Sequence, residues 1–200
     1  MNREYRAYKR LFRFLRIVLF PFYRIKSKGN ENIKPGPAVF CANHSSNFDP
    51  MFISFAAGID HHLHYMGKVE LFRIPIVGWA LRSIGSYPVN RGKNDVSAIK
   101  KSLTYLKAGE KIAIFPEGTR IRTDEDADAK RGAVRIADQM SAPVVPVYVP
   151  RSKKLFHSYT IIFGVPYLVN PEKKKLSQND YNKMADDLMA RIAALKQAAG

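Results

Sequence analysis

Ala38-Val39-Phe40-Cys41-Ala42-Asn43-His44-Ser45-Ser46-Asn47-Phe48-Asp49-Pro50-Met51-Phe52-Ile53-Ser54-Phe55-Ala56-Ala57 changes character twice along its length. A short apolar run bounded by turn residues reads as a buried strand. The Asn, Ser, Asp and Pro that follow are turn formers. Pro50 suits the first position of a helix and Asp49 its N-cap, so residues 50–57 read as a helix. His44 then stands at the end of a strand, a loop away from the acid that starts the helix.

The same alternation continues outward. Residues 63–67, 86–89, 111–115, 144–149 and 160–165 read as strands, the last two rich in β-branched residues. Residues 70–83, 95–107, 133–140 and 181–199 read as helices. Pro75 interrupts the first of these, and Gly109 closes the second. Residues 27–36, with Gly29, Pro35 and Gly36, read as a linker. Strands alternating with helices predict a single α/β domain with a largely parallel central sheet flanked by helices.

Residues 3–20 form a further helical pattern. At 100° per residue, Arg3, Arg6, Lys9, Arg10, Arg13 and Arg16 share one side, and Tyr8, Leu11, Phe12, Phe14, Leu15, Val18 and Leu19 the other. Ile17 and Phe20 fall on the basic side, and Pro21 ends the run. Such a helix can pack on a core with its charged face in solvent. Its large aromatics beside an Arg/Lys face favour a helix lying in a membrane interface. The expected division is therefore a membrane-associating helix over residues 1–26 and a second unit over residues 27–200. The longest apolar run of this segment, residues 17–23, is too short for a membrane span of about 20 residues, and with basic residues crowding it and no small-residue cleavage site after it no signal peptide is expected.

Composition limits the function classes. The 200 residues are 46% hydrophobic and 25% charged, which suits a globular domain with a core. One cysteine, Cys41, excludes an internal disulfide and suits a reducing compartment. It sits in an apolar run and reads as a small buried hydrophobe. Lys and Arg number 33 against 17 Asp and Glu, a net +16 that favours anionic partners. Nucleic acid is one such partner, but no nucleic-acid motif is present. His61, His62 and His64 beside Asp60 lack a distant ligand group, so no metal is expected.

The chemistry-bearing residues fall after strands, where α/β sites lie. Asp49 can hold one ring nitrogen of His44 and turn the other to a substrate. Phe115-Pro116-Glu117-Gly118-Thr119-Arg120 follows a strand and offers a flexible glycine, a hydroxyl and a planar cation suited to phosphate. Tyr87-Pro88-Val89-Asn90-Arg91-Gly92 places another arginine after a short strand. Pro146 lies inside a strand, an unusual place for proline.

Taken together, these blocks resemble those of the PlsC-like glycerophospholipid acyltransferases, the lysophosphatidate acyltransferase family. "NHSSNFD" matches the family's His, four residues, Asp block. Lys68-Val69-Glu70-Leu71-Phe72, then Pro75, Gly78 and Arg91, match the second block. "FPEGTR" at 115–120 matches the third at every position, and Pro146 the fourth. Lys130 with Gly132-Ala133, and Phe163-Gly164-Val165-Pro166, fit later family positions. The matches run in order from about Pro35 to Pro166. Ile121 replaces a frequent serine, and the loop after it is acidic (Asp124, Glu125, Asp126, Asp128) and expected to face solvent.

The resemblance implies acyl transfer from acyl-CoA or an acyl carrier protein to the sn-2 hydroxyl of a lysophosphatidic acid acceptor. His44 would be the general base and Asp49 its orienting partner, with no enzyme nucleophile. Arg91, Arg120 and Lys68 would bind the acceptor's phosphate. Glu117, Gly118, Thr119 and Pro146 would position substrate, with Glu117 orienting Arg120 or the glycerol, and backbone N–H groups near 115–118 would hold the oxyanion. Neither cofactor nor metal is required. The enzyme would sit peripherally on the cytoplasmic face of an anionic membrane. Glycerol 3-phosphate or another lysophospholipid is the alternative acceptor, and a non-enzymatic lipid-binding protein the alternative class.

Overall fold

The computed structural model describes residues 3–90, 95–121 and 129–199. Arg91 and the acidic loop residues Asp124, Glu125, Asp126 and Asp128 lie outside the described residues. In chain order the elements are α1 (Arg3–Leu19), β1 (Tyr23–Lys28), β2 (Ala38–Ala42), α2 (Asp49–Ala57), β3 (Leu63–Lys68), α3 (Pro75–Ser83), β4 (Tyr87–Val89) and α4 (Val96–Lys107). Then come β5 (Lys111–Ile114), α5 (Gly132–Met140), β6 (Val144–Tyr148), β7 (His157–Phe163) and α6 (Gln178–Ala194). Short 3-10 turns occupy Asn30–Asn32, Val69–Arg73 and Leu195–Ala199.

The strands form one seven-stranded sheet in the order β1-β7-β6-β2-β5-β3-β4. β2, β3, β4, β5 and β6 run parallel, and β7 pairs with β1 in parallel but with β6 antiparallel. The fold is thus α/β with a mostly parallel sheet, as the alternation predicts. β2 is buried along its whole length, the usual state of a strand covered on both faces. Its side chains alternate. Phe40 and Ala42 join Phe52 and Ile53 of α2 in one core, while Val39 and Cys41 join residues of α4, α5 and α6 in the other.

β1 was not foreseen. Its residues Tyr23-Arg24-Ile25-Lys26-Ser27-Lys28 are mostly polar and exposed, as befits an outer strand paired on one side. It straddles the expected division after residue 26 and supplies the outermost strand of the sheet.

The apolar face of α1 is divided. Tyr8 and Phe12 are buried against the domain, Phe12 edge-on to Phe55 at 5.1 Å and Tyr8 stacked on His62 at 4.3 Å. Lys9 reaches Asp60 at 2.9 Å. Phe14 and Val18 of that face stay exposed, as do Ile17 on the other side and Phe20 in the turn after α1. The stripe that periodicity assigns to a membrane therefore serves partly as a packing surface. Among the described residues no helix is long and apolar enough to cross a membrane.

Candidate active site

Adjacent β2 and β5 send their chains to opposite faces of the sheet, β2 into α2 and β5 towards α5. The crevice between such diverging loops is where open α/β sheets bind ligands. His44 follows β2, Glu117 follows β5, and Arg151 and Lys153 follow β6.

The His44 ring is buried and stacks on Phe115 with centroids 4.0 Å apart. Its Nδ1 lies 2.9 Å from Asp49 Oδ2. That oxygen also accepts the backbone N–H groups of Ser45 and Ser46, at 2.7 and 2.8 Å. Asp49 is the first residue of α2, and Phe48 holds the cap position without a side-chain bond. The expected N-cap is thereby corrected: the carboxylate turns back to the His44 loop instead of capping the helix, because that loop presents its N–H groups to it. An anionic acceptor at Nδ1 fixes the proton there and leaves the Nε2 lone pair for a substrate.

Lys153 completes the cluster. Its Nζ lies 2.7 Å from Asp49 Oδ1 and donates to Ser45 Oγ and Pro150 O, each at 2.7 Å. Burial alone would raise the Asp49 pKa. The bond from His44, the charge and bond of Lys153, and the Ser46 N–H outweigh it and hold the carboxyl below its ordinary range. Burial depresses the Lys153 pKa, with Asp49 opposing that shift.

Glu117 is buried, and its partners in the structure are not the expected Arg120. Arg151 Nη2 donates to Oε1 at 2.6 Å, and the His44 backbone N–H donates to Oε2 at 2.9 Å. Glu117 therefore braces the backbone of His44 and pairs with Arg151, not with Arg120. Arg151 also donates to Ile121 O at 2.8 Å, tying the loops after β2, β5 and β6 together.

Gly118 turns the "FPEGTR" loop with φ of 66°, and its N–H donates to Phe115 O at 3.0 Å. That N–H is committed to the turn and is not an oxyanion donor in this arrangement. Thr119 is exposed beside it. Arg120 is exposed and donates to Asn47 Oδ1 at 3.0 Å, while Ile121 N–H donates to His44 O at 2.8 Å, which holds Arg120 against the His44 loop. Lys68 ends β3, exposed, 3.5 Å from Glu70. Pro146 is level with Cys41 inside the sheet, below the edge that carries His44. Cys41 is fully buried and its thiol pKa is pushed up by burial.

Arg151 and Lys153 were not singled out by sequence reasoning. The available signal was position: both follow the end of a central strand, as His44 and Glu117 do. Two of the three clustered histidines are held within the fold. His62 Nε2 lies 2.7 Å from Ile84 O, and His64 stacks on Tyr105 and contacts Glu110. Among the described residues no group of three His, Cys, Asp or Glu could hold a metal. A groove of about 730 Å³ opens beside Phe115–Gly118, lined by buried Ile114 and Ile136 and by exposed Lys130, Arg131 and Arg135.

Comparison with known proteins bears on this arrangement. The acyltransferase family model matches residues 24–150. The chain is 38% identical over 194 residues to the 1-acyl-sn-glycerol-3-phosphate acyltransferase of Bacillus subtilis, covering 91% of this chain and 93% of that protein. It is 32% identical over 143 residues to a chloroplastic 1-acyl-sn-glycerol-3-phosphate acyltransferase of Arabidopsis thaliana, covering 70% of this chain. The chain spans 39% of the length of that protein and 41% of its Brassica napus counterpart. The crystal structure of the 1-acyl-sn-glycerophosphate (LPA) acyltransferase PlsC from Thermotoga maritima superposes with a TM-score of 0.70. It covers 97% of this chain and 79% of that one, and at 22% identity this is a likeness of fold. The family model and the near-full-length Bacillus subtilis relative show that the chain belongs to the PlsC-like glycerophospholipid acyltransferase family.

Proposed function

We propose that the protein transfers an acyl group from a thioester donor to the free hydroxyl of 1-acyl-sn-glycerol 3-phosphate, giving phosphatidic acid. The observation that carries this is the His44 Nδ1 to Asp49 Oδ2 bond of 2.9 Å, which presents Nε2 as a base. Nε2 takes the acceptor's hydroxyl proton as its oxygen attacks the thioester carbonyl carbon. The C–S bond then breaks, and the imidazolium returns the proton to the departing thiolate. Asp49 stabilises the imidazolium in between.

Arg120 and Lys68, with Arg91, are the cations for the acceptor's phosphate. The groove beside Phe115 suits the donor: apolar Ile114 and Ile136 for an acyl chain, and Lys130, Arg131 and Arg135 for an anionic CoA or carrier protein. The exposed end of α1 and the basic charge support peripheral attachment to an anionic membrane, where each nearby Lys or Arg contributes about 1 kcal/mol.

The test is ester formation by the purified chain from acyl-CoA or acyl carrier protein, with lysophosphatidate, other lysophospholipids and glycerol 3-phosphate as acceptors. A rate highest with lysophosphatidate is expected; ester from none of them would overturn the proposal. Membrane attachment by the end of α1 and the turn after it is tested with Ile17→Ser/Phe20→Ser, which should weaken flotation with anionic vesicles. Deleting the first 25 residues is less clean, because it removes buried Tyr8 and Phe12 and part of β1.

A further inference from the structure

The edge of the sheet that carries His44 also carries exposed apolar side chains that the reaction does not use. β1 and β7 run opposite to the other five strands, so they begin at the edge where β2, β5 and β6 end. Phe22 and Phe156 stand at those beginnings, both exposed, with ring centroids 5.8 Å apart. Phe156 N–H donates to Phe22 O at 2.7 Å, which holds the pair together.

On the far side of His44, β3 ends at Lys68 on the same edge, and the 3-10 turn and α3 follow. Their inner side is tightly seated. Phe72 is buried, a Cβ at Gly78 would stand 2.3 Å from Phe72 O, and Arg82 Nη2 donates to that oxygen at 2.8 Å. Their outer side shows Ile74, Ile76, Val77 and Trp79. Ile76 is 80% exposed and Trp79 71%, three residues apart on one helical face. Contiguous exposure of this kind marks an interaction surface.

His44's strand lies two strands from β7 and two from β3. At about 4.8 Å per strand, the two apolar rims stand roughly 20 Å apart with the site between them. Among residues 68–83, Lys68, Arg73 and Arg82 oppose a single acid, Glu70, which Lys68 already approaches at 3.5 Å. Apolar side chains with an indole, set among cations, match the interface of an anionic bilayer. A second copy would bring the same cations against themselves.

We propose that Ile74, Ile76, Val77 and Trp79 form a membrane-docking ridge that, with Phe22 and Phe156 opposite, seats the active-site edge on an anionic bilayer. The ridge deepens the reading of the acceptor as a membrane lipid and rests on it. It also assigns attachment to a second element besides α1. An acceptor headgroup in the leaflet would then meet Lys68 and Arg120 without leaving the lipid plane.

The experiment compares native protein with Ile76→Ser/Trp79→Ser and with Val165→Ser. Val165 is 74% exposed but follows β7 at the opposite edge, so it serves as the control. Co-flotation with vesicles of phosphatidylglycerol and phosphatidylcholine should fall about tenfold or more for the double variant and stay native for the control. Thermal melting should be unchanged, since both replaced side chains are exposed. The rate on vesicle-embedded lysophosphatidate should fall, and the rate on a short-chain lysophosphatidate below its micellar concentration should not. Native flotation by the double variant, or equal loss in the control, overturns the ridge. So does unchanged flotation with a native dimer that the double variant dissociates, or with a raised KM for an acyl carrier protein. Native protein that floats but forms no ester from any acceptor removes the acyltransferase reading and leaves the ridge in place.

Discussion

Lys153 Nζ lies 2.7 Å from Asp49 Oδ1, on the opposite carboxylate oxygen from the one that holds His44. The lysine thus balances the charge that Asp49 applies to the imidazole. Arg151, Glu117 and Arg120 also lie on the loops around His44, and Arg151 pairs with Glu117.

Lys153→Met should therefore lower stability, because it leaves the buried Asp49 carboxylate without its cation. Lys153→Arg should restore much of the loss, and native stability of Lys153→Met in chemical denaturation would show that the pair contributes nothing. The loss depends on pH. The Asp49 pKa is depressed by folding, so its contribution is present above the unfolded carboxyl pKa and lost as pH falls through the folded one. The variant should begin to unfold at higher pH and lose about 3 kcal/mol at neutral pH.

Arg151→Met should cost about 3–5 kcal/mol, because it leaves the buried Glu117 carboxylate unpaired. Adding Glu117→Gln should recover much of that loss in chemical denaturation, since the amide oxygen can still accept the His44 N–H. A double variant no more stable than Arg151→Met would contradict the pairing.

The stack of Tyr8, His62, His64 and Tyr105 joins α1 to the sheet and to α4. Burial, first, pushes the pKa of both His62 and His64 down to about 4. The unfolded chain then binds more protons, so stability falls as pH drops from about 6.5 towards 4. His62→Phe should flatten that dependence while losing about 1 kcal/mol at pH 7 with its bond to Ile84 O. An unchanged slope in denaturant midpoints across this range would show that the buried histidines are not its source.

Much of this was legible because burial leaves a pattern. β2 reads as a strand from its unbroken apolar run, and His44 and Glu117 stand at strand ends where ligands bind. β1 was hidden because an outer strand with a solvated face needs few apolar residues. Arg151 and Lys153 were hidden because a lysine or arginine in a loop usually meets solvent. Only the convergence of the loops after β2, β5 and β6 turns these two inward. α1 shows the same limit, since a hydrophobic stripe does not say how it is shared between protein and lipid.

His44→Ala separates chemistry from support. Loss of a general base should lower kcat about a thousandfold. Stability should change little, because Lys153 still balances Asp49 and Glu117 still accepts the N–H of residue 44. Asp49→Asn should also slow the reaction, but it leaves buried Lys153 without its counter-charge and should lower the melting temperature. Rates of ester formation and melts of the two variants, taken together, check this. If His44→Ala melts as low as Asp49→Asn, the imidazole is a structural member of the cluster; if it turns over at the native rate, the base is elsewhere.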